Sequence, residues 1–565
     1  MPSDRDKTEA LATREVLPGP EAVQAVMNAE KACFDLPGVI KIYAGWHFED
    51  RWITHRRAIV VYVHKEFFEA VKAQLPDQLQ GFPIEYVVGP RRKKKSPGDG
   101  AQGANPNEFD ATVGFVVPVL REEDLQPSFP GEILYHTTPA PLDIKISDLW
   151  AALRPDDRIQ YKPPAGVSLA EREFDVDELT VNISPDQGWA CLKPFLATTK
   201  RSLIVGMYEF TAPHIDSILC DTMAQGGRTL ELVLDSPSEP RGKREQTVED
   251  TDQHLKKALG QRLDFAWALS GQGTESPAKE FTTSYHIKVA VRDDVSIWLS
   301  SGNWNTSNLP DLDPANVEEV KDSFSHSDRD WHVVCRCDEL AGVFKAHIEN
   351  DLKVAKAAAY SGFLSATFGA ERLKALADET LDPPKERPHR PMKLFEPKTI
   401  SGKITIQPLL TPQAYREPIL KLIERARVRF YMQTQYIHTG SDGAGEGHAP
   451  VDHMALIRAV AKLYQDGCDV RIITSEYQSR MWIESLQNAG VDATNCLKIQ
   501  PNVHNKGIVV DTETSVISSQ NWSPAGTETN RDAGLLIRSP ELATYLEEIF
   551  LHDWEHLAQQ RTAFG

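Results

Sequence analysis

The sequence predicts an α/β protein made of two halves related by a pseudo-twofold axis, with a small α/β module ahead of them. Each half is expected to be a mostly β sheet flanked by helices. Three observations favour this fold class. One sparse polar motif occurs twice, 218 residues apart. Strand-like and helix-like segments alternate in the same order around each copy. A segment rich in proline and charge, residues 382–391, separates the copies as a linker would.

The length and composition bound the number of domains and the class of protein. At 565 residues, the chain is long enough for two or three domains. No apolar run approaches the roughly 20 residues that span a bilayer, so no transmembrane segment is expected. Residues 1–20 are polar and do not resemble a secretory signal. Seven cysteines predict no disulfide framework, and Cys335 and Cys337 are interpreted as core thiols. A cytoplasmic location follows.

The charge balance bears on the partners of the protein. The net charge of -19 disfavours binding to duplex DNA or to an anionic membrane. The one cationic run, Arg91 to Lys95, leads into a segment rich in glycine, proline and asparagine. It is interpreted either as a solvated loop or as a contact for a polyanion or a lipid headgroup.

Six segments are expected along the chain. The small module contains strand-like residues 39–43, 57–63, 84–88 and 112–120, with a helix at 65–74. The segments are a flexible N-terminus (1–30), the module (31–120), an irregular proline-rich connector (121–182), the first half (183–378), a linker (379–400) and the second half (401–565).

Each half follows one plan of alternating elements. A helix, a strand, a second helix and a second strand lead through a variable stretch to the strand that carries the histidine, and a long helix ends the half. The helices are expected at 189–197, 215–225 and 339–360 in the first half and at 418–426, 454–465 and 541–557 in the second. The early strands are expected at 203–210, 229–234, 428–437 and 470–474.

The two copies of the polar motif have identical offsets. From the histidine, the lysine follows by two residues, the aspartate by seven, a serine pair by fourteen and fifteen, and an asparagine and tryptophan by seventeen and eighteen. A single His-x-Lys is expected about once by chance in a chain this long, but two such arrays are not. The copies are His286, Lys288, Asp293, Ser300, Ser301, Asn303 and Trp304, and His504, Lys506, Asp511, Ser518, Ser519, Asn521 and Trp522.

The repeat continues beyond the motif. Residues 328–336 align without a gap with residues 530–538, so that Asp330 corresponds to Asp532. The offset here is 202 residues, which places sixteen extra residues in the first half, around 309–326.

On these residues the chain, from about 184 to 565, resembles the phospholipase D superfamily. The mark of that family is a duplicated His-x-Lys-x4-Asp followed by a Gly/Ser-Ser-x-Asn element. Serines 300 and 518 stand where many members have glycine. The resemblance implies that both histidines and both lysines converge on one phosphodiester, which is cleaved through a covalent phosphohistidine.

The resemblance also implies a role for each motif residue. Family precedent makes His286 the nucleophile and His504 the general acid and base, although the near symmetry leaves this order open. The charge on the phosphoryl oxygens would be neutralised by Lys288, Lys506, Asn303 and Asn521. Because the two lysines supply positive charge, neither a metal nor a cofactor is expected.

A nucleophilic imidazole needs a partner that orients it, usually a carboxylate. Asp532 lies where the family places such a partner, and the repeat alignment assigns Asp330 to the first half, with Glu318 as its rival. Asp293 and Asp511 have an odd offset from the histidine. Strand alternation therefore points them away from the phosphate, and a structural role is expected.

Several neighbours of the motif allow two interpretations. Ser301 and Ser519 bind a phosphoryl oxygen or begin a turn, and Trp304 and Trp522 line the site or pack in the core. The loop that contains His438, His448 and His453 is a surface loop at the rim of the site, with a metal site as the alternative.

The substrate is a phospholipid headgroup or a nucleic acid. The acidic chain and the aromatic residues near the motif favour the phospholipid, with peripheral membrane contact. The cationic run favours a nuclease, and no basic stripe follows the catalytic halves. A non-catalytic phosphate-binding scaffold is the third alternative. The aromatic residues are Phe281, Tyr285, Trp304, Trp482 and Trp522.

Overall fold

The computed structural model of the protein describes most of the predicted module and both halves. The basic run at 91–95, the strand-like segment 112–120, the linker at 382–391, Phe281 and His448 lie outside the described residues. The described ranges are 18–33, 36–89, 161–169, 172–235, 248–268, 284–323, 326–361, 393–439 and 451–562.

The N-terminal module is a four-stranded sheet in the order β1-β2-β4-β3. The strands are β1 (Val39–Glu49), β2 (Trp52–His64), β3 (Gln78–Leu79) and β4 (Phe82–Gly89). A helix at Pro20–Cys33 buries Ala25 and Ala29 against this sheet, and a short helix spans Phe68–Lys72. The flexible N-terminus predicted for 1–30 is therefore wrong from Pro20 onward, because the small alanine side chains let the helix pack closely on the sheet.

The rest of the described chain is built on one sheet of fourteen strands. Its order from edge to edge is β15-β14-β13-β16-β17-β18-β12-β5-β11-β10-β9-β6-β7-β8. The strands are β5 (Phe174–Ser184), β6 (Ser202–Met207), β7 (Thr229–Leu234), β8 (Leu263–Trp267), β9 (Lys288–Arg292), β10 (Ser296–Ser300), β11 (Asp330–Arg336), β12 (Lys398–Leu410), β13 (Arg429–Thr434), β14 (Asp469–Thr474), β15 (Leu497–Ile499), β16 (Lys506–Val510), β17 (Thr514–Ser518) and β18 (Ala533–Arg538).

The same succession of pairings is found on each side of the centre of the sheet. Three parallel strands at each edge (β6-β7-β8 and β13-β14-β15) lead into antiparallel strands, and β5 pairs antiparallel with β12 at the centre. We call residues 172–361 the first half and residues 393–562 the second half. The α/β class predicted from the sequence is confirmed, with strands β8 and β15 and the helix Arg480–Asn488 as additions.

The central strand β5 corrects the predicted connector. Residues up to 182 were expected to be irregular, whereas Phe174–Ser184 is a strand. Phe174, Val176, Val181 and Ile183 are buried, since both neighbouring strands and a covering helix layer need an apolar surface at this position.

Helices cover both faces of the large sheet. The longest, Asp338–Ser361, and its counterpart Pro540–His552 pack on one face over a core that takes residues from both halves. The remaining helices are Gly188–Ala197, Pro213–Met223, Val248–Leu259, Val317–Ser323, Arg416–Arg425, Val451–Gln465, Arg480–Asn488 and Ala493–Cys496. Within the described ranges, no helix combines the length and apolarity needed to cross a membrane.

Candidate active site

The two histidines lie just ahead of the strands that carry the lysines. Lys288 and Lys506 are the first residues of β9 and β16, whereas His286 and His504 precede these strands. The predicted strands therefore begin later than expected. The reason is that each histidine segment contacts the opposite half: the backbone N–H of Arg531 donates to the carbonyl of Ser284 at 2.8 Å.

The matching contact exists on the other side. The backbone N–H of Arg329 donates to the carbonyl of Asn502 at 2.8 Å, and the N–H of His504 donates back to the carbonyl of Arg329 at 3.1 Å. Each histidine segment is thus held against the segment that carries the aspartate of the other half.

This backbone pairing creates two crossed His–Asp pairs. His286 Nδ1 lies 2.8 Å from Asp532 Oδ1, and His504 Nδ1 lies 3.1 Å from Asp330 Oδ1. The repeat alignment placed one aspartate in each half, and the structure pairs each with the histidine of the other half. The rival carboxylate, Glu318, is 85% exposed and pairs with Lys321 instead.

The serines expected at the phosphate or in a turn bind the paired aspartates. Ser301 Oγ donates to Asp330 at 2.7 Å, and Ser519 Oγ donates to Asp532 at 2.6 Å. Each hydroxyl also accepts a backbone N–H from the strand that follows the aspartate, at 3.0 Å in both halves. The serines therefore hold the carboxylates in place.

Both lysines are buried beside the histidines. Lys288 Nζ donates to the carbonyl of His286 at 2.8 Å, and Lys506 Nζ lies 3.1 Å from both ring nitrogens of His504. Burial, together with the charge of the other lysine, holds the pKa of Lys288 well below its usual value, and burial lowers the pKa of Lys506 to about 8.

The same environment favours neutral imidazoles. Burial, followed by the charge of the adjacent lysine, lowers the pKa of His286 to about 4 and that of His504 to about 3, although the aspartate partner opposes this in each case. Lys506 also lowers the pKa of His286, and Lys288 lowers that of His504. These four groups from two halves therefore form one electrostatic cluster.

The two asparagines lie at the ends of turns beside this cluster. The side-chain Oδ1 atoms of Asn303 and Asn521 are buried and have no hydrogen-bond partner among the described residues. The backbone N–H of Asn303 donates to Asn308 Oδ1 at 3.1 Å. Asn521 hydrogen-bonds the hydroxyl of Tyr436.

The tryptophans of the motif lie in the core. Trp304 is fully buried and packs edge-on against Phe210 at 5.0 Å. Trp522 is 2% exposed and donates from Nε1 to the hydroxyl of Tyr415 at 3.1 Å. Their backbone carbonyls accept the N–H groups of Thr211 and His438, so the tryptophans anchor the ends of β6 and β13.

The aspartates of the written motif bind the backbone. Asp293 accepts the N–H groups of residues 200, 201 and 202, and Asp511 accepts those of residues 427, 428 and 429. Both residues adopt a left-handed conformation, with φ of 54° and 53°, in the turn after the lysine strand. Each carboxylate thus ties that turn to the start of a neighbouring strand.

Two buried arginines were not assigned a role from the sequence. Arg329 binds Asp553 at 3.0 Å and Asp186 at 2.6 Å, and Arg531 binds Asp351 at 2.8 Å. Arg329 and Arg531 directly precede the paired aspartates, and they too bind across the halves. The signal was present in the repeat alignment, where Arg and Asp coincide in both copies.

The histidine loop is partly described. Both ring nitrogens of the buried His453 are bonded, Nδ1 to Thr527 Oγ1 at 3.0 Å and Nε2 to the carbonyl of His438 at 2.9 Å. Among the residues that the structure describes, no group of three histidine, cysteine, aspartate or glutamate side chains is placed to hold a metal ion.

Sequence comparison identifies relatives of the second half. A family model described as "Cardiolipin synthase, PLD-like domain" matches residues 419–554. The mitochondrial cardiolipin hydrolase of Danio rerio is 26% identical over 106 residues, which are 18% of this chain and 47% of that protein. The chain thus spans about half the length of the curated relative that it matches.

Two solved structures have related folds. Phosphatidylserine synthase of Haemophilus influenzae Rd KW20 is 13% identical, with a TM-score of 0.44 over 72% of this chain and 90% of that one. The phospholipase D family member Nuc of Salmonella typhimurium is 24% identical, with a TM-score of 0.22 over 28% of this chain and 97% of that one.

Proposed function

This chain belongs to the phospholipase D superfamily, and on that premise we propose that it is a phosphodiesterase that hydrolyses or transfers phospholipid headgroups through a phosphohistidine. One observation carries the proposal: two His–Asp pairs cross between the halves, and a buried lysine lies beside each histidine. This arrangement provides two imidazoles for proton and phosphoryl transfer and two cations for a phosphate.

In the proposed first step, His286 attacks phosphorus. Asp532 accepts the Nδ1–H of His286, which leaves the Nε2 lone pair free to form the N–P bond as the bond to the leaving oxygen breaks. Lys288, Lys506 and the amides of the two asparagines bind the phosphoryl oxygens. No metal or cofactor takes part in the proposed mechanism.

His504 acts as general acid and then as general base. The negative charge of the bound phosphodiester raises the pKa of His504, which allows the imidazole to hold the proton that it donates to the leaving alcohol. In the second step the same imidazole accepts a proton from water or an acceptor alcohol, which displaces His286 from phosphorus. Asp330 orients His504 throughout.

Phospholipid headgroups are favoured as substrate by two observations. The matching family model and the zebrafish relative are both named for cardiolipin chemistry. The net charge of -19 disfavours a polyanionic nucleic acid. We also infer that the two halves arose by duplication, which the matching strand order on each side of β5 and β12 supports.

The proposal is tested by incubating the full chain in EDTA with phosphatidylcholine vesicles and, separately, with single- and double-stranded DNA. We expect release of choline and no DNA cleavage, with loss of activity in His286→Ala and His504→Ala. His254→Ala is the matched control, because this half-exposed histidine binds Asp216 outside the site. DNA cleavage without lipid turnover would reassign the substrate, and loss of all activity in EDTA would overturn the metal-free mechanism.

A further inference from the structure

Two strand ends lie beside the catalytic groups and differ between the halves. Strands β6 and β13 pair with the strands that begin at Lys288 and Lys506. The residues that follow each strand, 208–209 and 435–436, are partly exposed, whereas the strands themselves are almost wholly buried. A substrate held at the histidines would therefore meet these residues.

The residue after β6 contacts the catalytic groups directly. The ring of Tyr208 packs edge-on against His286, with 4.7 Å between ring centroids. Lys288 Nζ lies 5.2 Å from the centroid of the same ring. Tyr208 therefore lines the site on the side of the first half.

Glu209 and Tyr436 occupy equivalent positions in the two halves. Each precedes the residue that pairs with the motif tryptophan: Phe210 with Trp304, and Ile437 with Trp522. The contacts agree with this equivalence. Glu209 Oε2 accepts the amide of Asn305 at 2.8 Å, and Tyr436 hydrogen-bonds Ser523, the counterpart of Asn305.

The two positions offer opposite chemistry. The recorded partner of Glu209 is an amide, and no lysine or arginine of the described chain lies within ion-pair distance of its carboxylate. On the other side, Tyr436 packs against Trp482 at 5.3 Å, and Trp482 packs edge-on against His438 at 4.8 Å. One side of the site is thus anionic and the other aromatic.

We propose that these two walls bind different ends of the substrate. The carboxylate of Glu209 and the ring of Tyr208 bind a cationic group on one alcohol of the phosphodiester, because an ammonium is stabilised both beside a carboxylate and against an aromatic ring. The aromatic wall of Tyr436, His438 and Trp482 binds the apolar alcohol. The inference rests on the proposed function and narrows it to phospholipids with an amine-bearing headgroup.

The test compares two lipids that differ in headgroup charge. The full-length chain is assayed on vesicles of phosphatidylcholine and of phosphatidylglycerol with the same acyl chains, and kcat/KM is measured for release of choline and of glycerol. We expect the wild type to prefer phosphatidylcholine, and Glu209→Gln to reduce that preference by roughly tenfold. The glutamine keeps an oxygen for Asn305 and so preserves the local hydrogen bond.

Three further measurements make the result decisive. Glu209→Asp should retain part of the preference, because the charge is kept. Glu541→Gln, the same change at an exposed glutamate paired with Lys398, should leave the preference unchanged. An unchanged preference in Glu209→Gln would overturn the inference while the proposed function stands. Failure of the wild type to cleave either lipid would overturn the proposed function and the inference with it.

Discussion

The two His–Asp pairs use the same residue types at the same offsets, yet the surroundings of their aspartates differ. Asp330 Oδ2 accepts the side-chain amide of Asn308 at 2.8 Å. Asp532 Oδ2 is buried and has no hydrogen-bond partner among the described residues. Asn308 also accepts the backbone N–H of Asn303, so one amide links two motif residues of the first half.

Two positions of the repeat explain this difference. A Cβ atom at Gly302 would lie 2.6 Å from Asp330 Oδ2, so glycine leaves the space that Asn308 fills, whereas the second half has Gln520 at that position. Asn308 itself corresponds to Gly526, where a Cβ would lie 2.2 Å from the carbonyl oxygen of Asn521. A duplicated motif therefore need not carry duplicated electrostatics, because residues outside the motif complete each pair.

The largest expected effect separates the roles of the two histidines. His286→Ala and His504→Ala should each lower kcat by about 10⁴-fold, the scale found when a nucleophile or its acid–base partner is removed. With substrate labelled at phosphorus and rapid denaturation, we expect no covalent adduct in His286→Ala and a persistent adduct in His504→Ala. The reverse pattern would exchange the two roles, and His254→Ala should resemble the wild type.

The lysines predict opposite effects of alkaline pH on activity and stability. With the pKa of Lys506 lowered to about 8, kcat/KM should fall by up to about tenfold per pH unit above that value. Between pH 8 and the ordinary lysine pKa of 10.5, the unfolded chain holds more protons than the folded one, so the free energy of unfolding contributed by this group rises with pH.

Lys506→Arg checks this assignment, since a guanidinium stays charged throughout that range. We expect a lower maximal rate and an alkaline limb displaced to higher pH. An unmoved limb in Lys506→Arg would assign the titration to another group, with Lys288→Arg as the comparison.

A smaller effect is expected from the amide that distinguishes the pairs. Asn308→Ala leaves Asp330 Oδ2 buried without a donor, which should lower kcat about tenfold and the free energy of unfolding by about 1–3 kcal/mol. Gln520→Ala, at the position that fills the corresponding region of the second half, should change kcat less. Equal effects of both substitutions on kcat would show that the asymmetry has no catalytic consequence.

The smallest effect on activity is expected at the motif aspartates that bind the backbone. Asp293→Asn and Asp511→Asn each weaken the bonds to three amides, so the free energy of unfolding should fall by about 1–2 kcal/mol in both, as measured by urea denaturation. We expect kcat at 25 °C to stay close to that of the wild type. A large loss of kcat without loss of stability would place either aspartate in the chemistry.

Much of the fold was predictable because it follows local patterns. Alternating strands and helices produced the α/β class, and most element positions agree within a few residues, as in Thr229–Leu234 and Val451–Gln465. The errors lie where packing overrides composition. Phe174–Ser184 looked like part of a proline-rich connector but is a central strand, and Pro20–Cys33 is ordered by the sheet that it covers.

By itself, the sequence determined which side chains carry the chemistry, because the offsets from histidine to lysine, serine and asparagine are repeated in both copies. The tertiary structure alone decided that Asp532 binds His286, that Asp330 binds His504 and that Asn308 supports one pair. These contacts join residues up to 246 positions apart along the chain. They depend on how the two halves meet at β5 and β12, and residue spacing within one half carries no information about that junction.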